Sequence, residues 1–192
     1  IISTAESTIG SAVILIHFKF MLHTQKILIL DFGSQFTQLI ARRIRESKVY
    51  SEIHPHSYLI EQIKKERPAG IILSGGPMSV NKSDSPKISE EILELGIPVL
   101  GICYGLQLIC KLLGGKVEPA SDREYGKAHL GIIKNDLLFN GVDDGSVIWM
   151  SHGDYVTKLP EGFSLTAKTE NSQLCAISNL QKKIYGIQFH PE

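Results

Sequence analysis

Cysteine is scarce in this chain: among 192 residues only Cys103, Cys110 and Cys175 occur. An odd number without metal-type spacing argues against a disulfide framework or a zinc site and fits reduced thiols in the cytoplasm. Charge of one sign is missing too, since 20 Lys and Arg balance 20 Asp and Glu. No excess therefore draws the chain to nucleic acid or to an acidic membrane surface. Long apolar runs are absent. The run at 12–16 is far short of the roughly 20 residues that span a bilayer. It has neither a basic region before it nor a small-residue cleavage site after it, so a signal peptide is not expected. Internal repeats and low-complexity tracts are missing as well.

What is present suits one domain with a real core, at 43% apolar and 21% charged residues. Residues 1–20 stand apart from the strongly patterned sequence that follows. They are expected to be a non-native or disordered extension ahead of Met21, with residues 21–192 forming the domain. From Lys26 onward short apolar runs alternate with helical periodicity. Strands are expected at 26–31, 49–53, 69–73 and 97–102. Helices are expected at 34–47 (Phe36, Leu39, Ile40 and Ile44 inward), at 57–67 (Leu59, Ile60 and Ile63 inward), from Ser85-Pro86 to Gly96, and from the end of the fourth strand to Leu113. Such repetition implies right-handed crossovers and an open, mostly parallel α/β sheet flanked by helices. After Lys116 short strands at 128–133, 147–150, 162–169, 174–178 and 184–189 read as a small antiparallel extension that returns to the main sheet at its last strand.

The sharpest local signal is Gly101-Ile102-Cys103-Tyr104-Gly105, at the junction of an apolar strand and a helix. Small residues on both sides permit the strained turn of a nucleophile elbow, which thrusts the central side chain out above the sheet. The helix N-terminus then favours the thiolate of Cys103. Taken alone, the pentapeptide is also compatible with a buried structural cysteine. Cys110, which shares a helical face with Leu106, Ile109 and Leu113, is expected to be of that structural kind. A thiol nucleophile needs a base, and the base needs an orienting group. His190-Pro191-Glu192 ends the last apolar strand, and residues two apart in extended chain project to the same side. Glu192 is thus placed to hold one imidazole nitrogen while the other faces Cys103. Ser74-Gly75-Gly76-Pro77 follows the third strand, where glycines let backbone N–H groups approach a developing oxyanion. That run lacks the lysine and helix start of a phosphate loop, and it does not continue as the signature of the ATP pyrophosphatases.

Together, Leu30-Asp31-Phe32-Gly33-Ser34-Gln35, Ser74-Gly75-Gly76-Pro77, Gly101-Ile102-Cys103-Tyr104-Gly105 and His190-Pro191-Glu192 resemble class I (triad-type) glutamine amidotransferases, and within them the amidotransferase domains of GMP synthetases. The narrower resemblance rests on Asp31 to Gln35, on Tyr104 where relatives serving anthranilate, carbamoyl phosphate or CTP synthesis usually carry leucine, and on Ser151-His152-Gly153-Asp154. It implies a flavodoxin-like sheet and a Cys103–His190–Glu192 triad. It further implies an oxyanion hole from the N–H groups of Gly76 and Tyr104, and contacts to L-glutamine from Gln107, Ser151, His152, Gly153 and Asp154. No metal or cofactor is implied for this domain. Ammonia would pass to a synthetase domain or subunit that uses ATP and Mg2+ to convert XMP to GMP. Relatives continue beyond the final glutamate, so Glu192 is expected to be poorly held, with weak glutaminase activity for this chain alone.

Overall fold

The computed structural model describes residues 26–134 and 136–192, without the side chains of 121–124. The expectation for residues 1–20 lies outside the described residues.

An eight-stranded sheet forms the centre, in the order β2-β1-β3-β4-β10-β9-β8-β6. Its parallel half is β2 (Ser51–Pro55), β1 (Ile27–Asp31), β3 (Gly70–Leu73), β4 (Val99–Ile102) and β10 (Ile184–Ile187). Helices cover both faces, so these strands read as nearly continuous apolar runs. Alternate residues serve opposite cores. Leu28, Leu30, Ile71 and Leu73 pack with Ile63, Leu106 and Ile109 on one face. On the other, Ile29, Ile102 and Ile187 pack with Ile40 and Ala41. The antiparallel half consists of β9 (Ala176–Asn179), β8 (Ser164–Lys168) and β6 (Gly131–Ile132). The expected antiparallel extension therefore continues the main sheet itself, and β10 sits between its two halves.

The expectations miss a long two-stranded ribbon, β5 (Lys116–His129) paired antiparallel with β7 (Val147–Lys158). They reach only the ends of these strands, at 128–133 and 147–150. Three further readings are corrected. Helix α1 (Thr37–Glu46) starts later than its pattern suggests, because residues 34–36 form the preceding turn. It buries Thr37, Ile40 and Ala41, and Phe36 is exposed. Leu59 is the extended N-cap residue of α2 (Ile60–Glu66) and also faces solvent. Ser85-Pro86 opens no α-helix. The Ser85 hydroxyl donates back to Lys82 O and the Pro86 carbonyl accepts the Tyr104 hydroxyl at 2.6 Å, leaving only a 3-10 turn at Glu90–Glu94.

Two loops at the carboxyl edge of the sheet are locked together. The Asp31 carboxylate accepts from the Gly33 amide (3.0 Å) and the Thr37 hydroxyl (2.7 Å), drawing the loop after β1 onto the start of α1. The Ser74 hydroxyl, fully buried, accepts from the Phe32 amide at 3.0 Å and donates to Gly75 O at 2.8 Å. Open parallel sheets bind ligands at this edge. At the opposite edge, buried Lys26 donates to Glu52 (2.6 Å) and Glu66 (2.8 Å). That triad ties β2 and the end of α2 to the start of β1. It is well away from the functional end.

Candidate active site

The turn from β4 into α3 (Tyr104–Leu112) places Cys103 as the helix N-cap with φ 50° and ψ −103°. A positive φ is unfavourable for a residue with a Cβ. The two flanking glycines make the turn sterically possible. A Cβ on Gly101 would meet the Gly105 carbonyl carbon at 2.5 Å, and one on Gly105 would meet Leu73 O at 2.4 Å. Cys103 is 4% exposed, and it lines a cavity of about 530 Å³ with Gly76, Gln107, Ser151, His152, Gly153 and Asp154. Six of the residues expected to contact glutamine or its oxyanion thus surround the thiol. The seventh, Tyr104, turns its ring into the core beside Phe32, so only its backbone can serve the site. Its N–H belongs to the first turn of α3, where amides have no partner within the helix. Cys110 is fully buried, and burial pushes its thiol up to about 12. Cys110 is therefore the structural core cysteine that its apolar helical face led one to expect.

His190 reaches the site by a route the strand pattern only partly indicated. Strand β10 ends at Ile187, and His190 is held instead by a bridge to β7, its amide donating to Trp149 O at 2.9 Å. Nδ1 of His190 donates to Glu192 Oε1 at 2.9 Å. A carboxylate only accepts, so this bond assigns the proton to Nδ1 and leaves Nε2 for the Cys103 side chain, whose proximity the ring feels. Burial pushes the imidazole down. The hydrogen bonds and charges of Cys103 and Glu192 outweigh it and raise the ring to about 9. The expectation of a poorly held Glu192 is not met, since its side chain is 3% exposed and bonded to the ring. Phe36, turned out of the core, packs edge-on to the same imidazole at 5.4 Å.

Gly75 lies beside both Cys103 and His190. A Cβ there would lie 3.1 Å from His190 Cε1 and 3.7 Å from Cys103 Cβ. Gly75→Ala is expected to lower kcat roughly tenfold by displacing the imidazole a few tenths of an ångström, with the KM for glutamine nearly unchanged. Steady-state kinetics beside a thermal melt checks this, because simple misfolding would lower the melting midpoint as well. Pattern reasoning missed three polar contributors. Gln188 is wholly buried and donates to the Cys103 sulfur. Ser79 hydrogen-bonds the Asp154 carboxylate, and Tyr125 lines the cavity from β5. Only Gln188 had a signal, as a polar residue inside the apolar run IYGIQF and on the same strand face as His190.

The profile of the class-I glutamine amidotransferase family matches residues 28–192. The chain is 58% identical over 167 residues to a protein of Brachyspira hyodysenteriae named GMP synthase (glutamine-hydrolysing), covering 87% of this chain and 32% of that one. It is 56% identical over 168 residues to the protein of that name from Caldanaerobacter subterraneus, covering 88% and 33%. The chain thus spans about a third of the length of these relatives. A crystal structure from Thermoplasma acidophilum, of a protein provisionally named as one subunit of GMP synthase, superposes with a TM-score of 0.74 at 30% identity over 88% of this chain and 85% of that one. Fold, cavity and sequence kinship agree: the chain belongs to the class-I glutamine amidotransferases.

Proposed function

We propose that this chain is the glutaminase half of a GMP synthetase. Its carrying observation is that Cys103, which lines the polar cavity, lies beside the His190 imidazole, whose other side is held by Glu192. Glutamine enters with its carboxamide over Cys103, and its other polar groups are met by Gln107, Ser151, His152, Gly153 and Asp154. The Cys103 thiolate attacks the carboxamide carbon, and the oxygen takes up negative charge against the N–H groups of Gly76 and Tyr104. The His190 imidazolium gives its proton to the nitrogen as the C–N bond breaks, releasing ammonia and leaving a glutamyl thioester. His190, now neutral, removes a proton from water as it attacks the thioester. The C–S bond of the resulting adduct breaks, glutamate departs, and the Cys103 thiolate and His190 imidazolium are restored. Glu192 holds the ring throughout and balances its charge.

The relatives' names support GMP synthesis as the destination of the ammonia, ahead of anthranilate, carbamoyl phosphate or CTP synthesis. XMP, ATP and Mg2+ are assigned to the synthetase partner, and the cytoplasm is the compartment that suits three free buried thiols. Among the described residues no helix is long and apolar enough to cross a membrane. The test combines this chain with a GMP synthetase lacking its own amidotransferase domain, supplied with XMP, Mg-ATP and glutamine. GMP should form, and a glutamine-analogue affinity label should modify Cys103 and abolish formation. Labelling elsewhere with activity lost would reject the triad. Glutamine hydrolysis without transfer to XMP would retain the glutaminase and reject the pathway.

A further inference from the structure

Cys103 Sγ has two hydrogen-bonding neighbours, and they favour opposite protonation states. The Ser151 carbonyl, at 3.6 Å, can only accept and so favours the thiol. The Gln188 amide Nε2, also at 3.6 Å, donates and so favours the thiolate. Which end of an amide faces a given neighbour is normally ambiguous. Here an obligatory acceptor removes the ambiguity. The Asp154 backbone carbonyl accepts from Gln107 Nε2 at 2.8 Å, which fixes the Gln107 amide. The same Nε2 donates to Gln188 Oε1 at 3.3 Å, so the oxygen of Gln188 must face Gln107 and its NH2 must face the sulfur. The two links made by Gln188 are buried, and Gln188 is fully so. A buried amide without such partners would be costly, which makes the chain self-consistent.

We propose that Gln188 is the donor that poises the nucleophile, and that Gln107 transmits its orientation from the β7 wall of the glutamine cavity. The proposal rests on the reading of Cys103 as nucleophile and adds a residue to it. Other titratable groups face the sulfur or its cavity. They are His190 with Glu192 behind it, His152 and Asp154 from β7, Tyr125 from β5, and Lys82 from the loop after β3. Of these, Asp154 has its carboxylate engaged by Ser79 and offers the chain only its backbone oxygen. Gln188 is the neutral donor in the set, so its effect is separable from that of the charges.

The test reads the thiol directly and requires no turnover. The intact protein is pulsed with iodoacetamide from acid to alkaline pH, and the alkylated fraction of the Cys103 peptide is followed by mass. Gln188→Met keeps the side chain's length and removes the donor. It should move the alkylation midpoint up by about one pH unit, a tenfold loss of thiolate below it. Gln188→Glu retains the oxygen for Gln107 and should move it further in the same direction. Gln107→Met leaves Gln188 free to flip and should give a smaller shift of the same sign. A midpoint at the wild-type value in either folded Gln188 variant overturns the donor role and makes Gln188 a packing residue. An unmoved midpoint in Gln107→Met overturns the orientation relay. If Cys103→Ala still hydrolyses glutamine, the underlying reading fails instead, and the alkylation profile remains interpretable by itself.

Discussion

Replacing Cys103 by glycine is expected to abolish glutamine hydrolysis and yet leave the protein more stable than the alanine variant. Loss of a covalent nucleophile removes on the order of 10^4-fold or more of the rate, because the remaining groups have nothing to activate. The stability effect has a separate origin. At φ 50° and ψ −103° the Cys103 backbone lies in a region that glycine enters freely and residues with a Cβ do not. Such strain costs about 1–3 kcal/mol and is retained only where the surroundings enforce it. Alanine keeps the Cβ and hence the strain, and glycine releases it. The loosened unfolded chain of the glycine variant offsets part of the gain by about 0.5–1 kcal/mol. Cys103→Gly should therefore unfold at higher denaturant than Cys103→Ala, with equal m-values. If alanine proves the more stable, the elbow is unstrained and its geometry has been misassigned.

How far the site could be read from residues alone depended on how local each signal is. The elbow at Cys103 is a strand–turn–helix junction written in five consecutive residues. His190 and Glu192 are coupled by extended geometry across one proline. Both were legible, and the structure brings them together. Cys110 was equally plain, because its neighbours at helical spacing are all apolar. The β5–β7 ribbon was not legible over most of its length. Residues 116–129 read KVEPASDREYGKAH, a charged stretch with a proline and no period-2 alternation. That segment is extended because β7 pairs with it, a contact between residues some thirty positions apart in sequence that no local propensity encodes. Tyr125 and the cavity wall it contributes were lost with it. Phe36 failed differently. It matches the apolar face of its helix by periodicity, yet the turn held by Asp31 and Ser34 starts the helix after it and leaves its ring for His190. Gln188 lies between these cases, visible as an oddity in an apolar strand but meaningless until the partner Gln107 is in place.

Glutamine hydrolysis should fall away above about pH 9, and Glu192→Gln should move that limb to lower pH with a roughly hundredfold loss of kcat. In the proposed mechanism the proton on His190 is the one delivered to the departing ammonia, so the competent form of the ring is the imidazolium. It persists up to about 9 because the hydrogen bonds and charges of Cys103 and Glu192 outweigh the burial that opposes it. Glutamine at position 192 removes one of those two charges, so the ring releases its proton at lower pH, but not at its ordinary value while Cys103 remains. Stability must follow the same sign. The ring's pKa is raised in the folded chain, so its contribution to stability is complete below the unfolded value near 6.5 and disappears as pH rises through about 9. The gap in melting midpoint between wild type and Glu192→Gln should accordingly be widest below pH 6.5 and should narrow from there towards pH 9. One titration then has to appear twice, in the alkaline limb of kcat/KM and in the narrowing of the melting gap. A limb that stays in place in Glu192→Gln, or a gap that widens with pH, would mean that the carboxylate does not hold the imidazolium and that some other group orients His190.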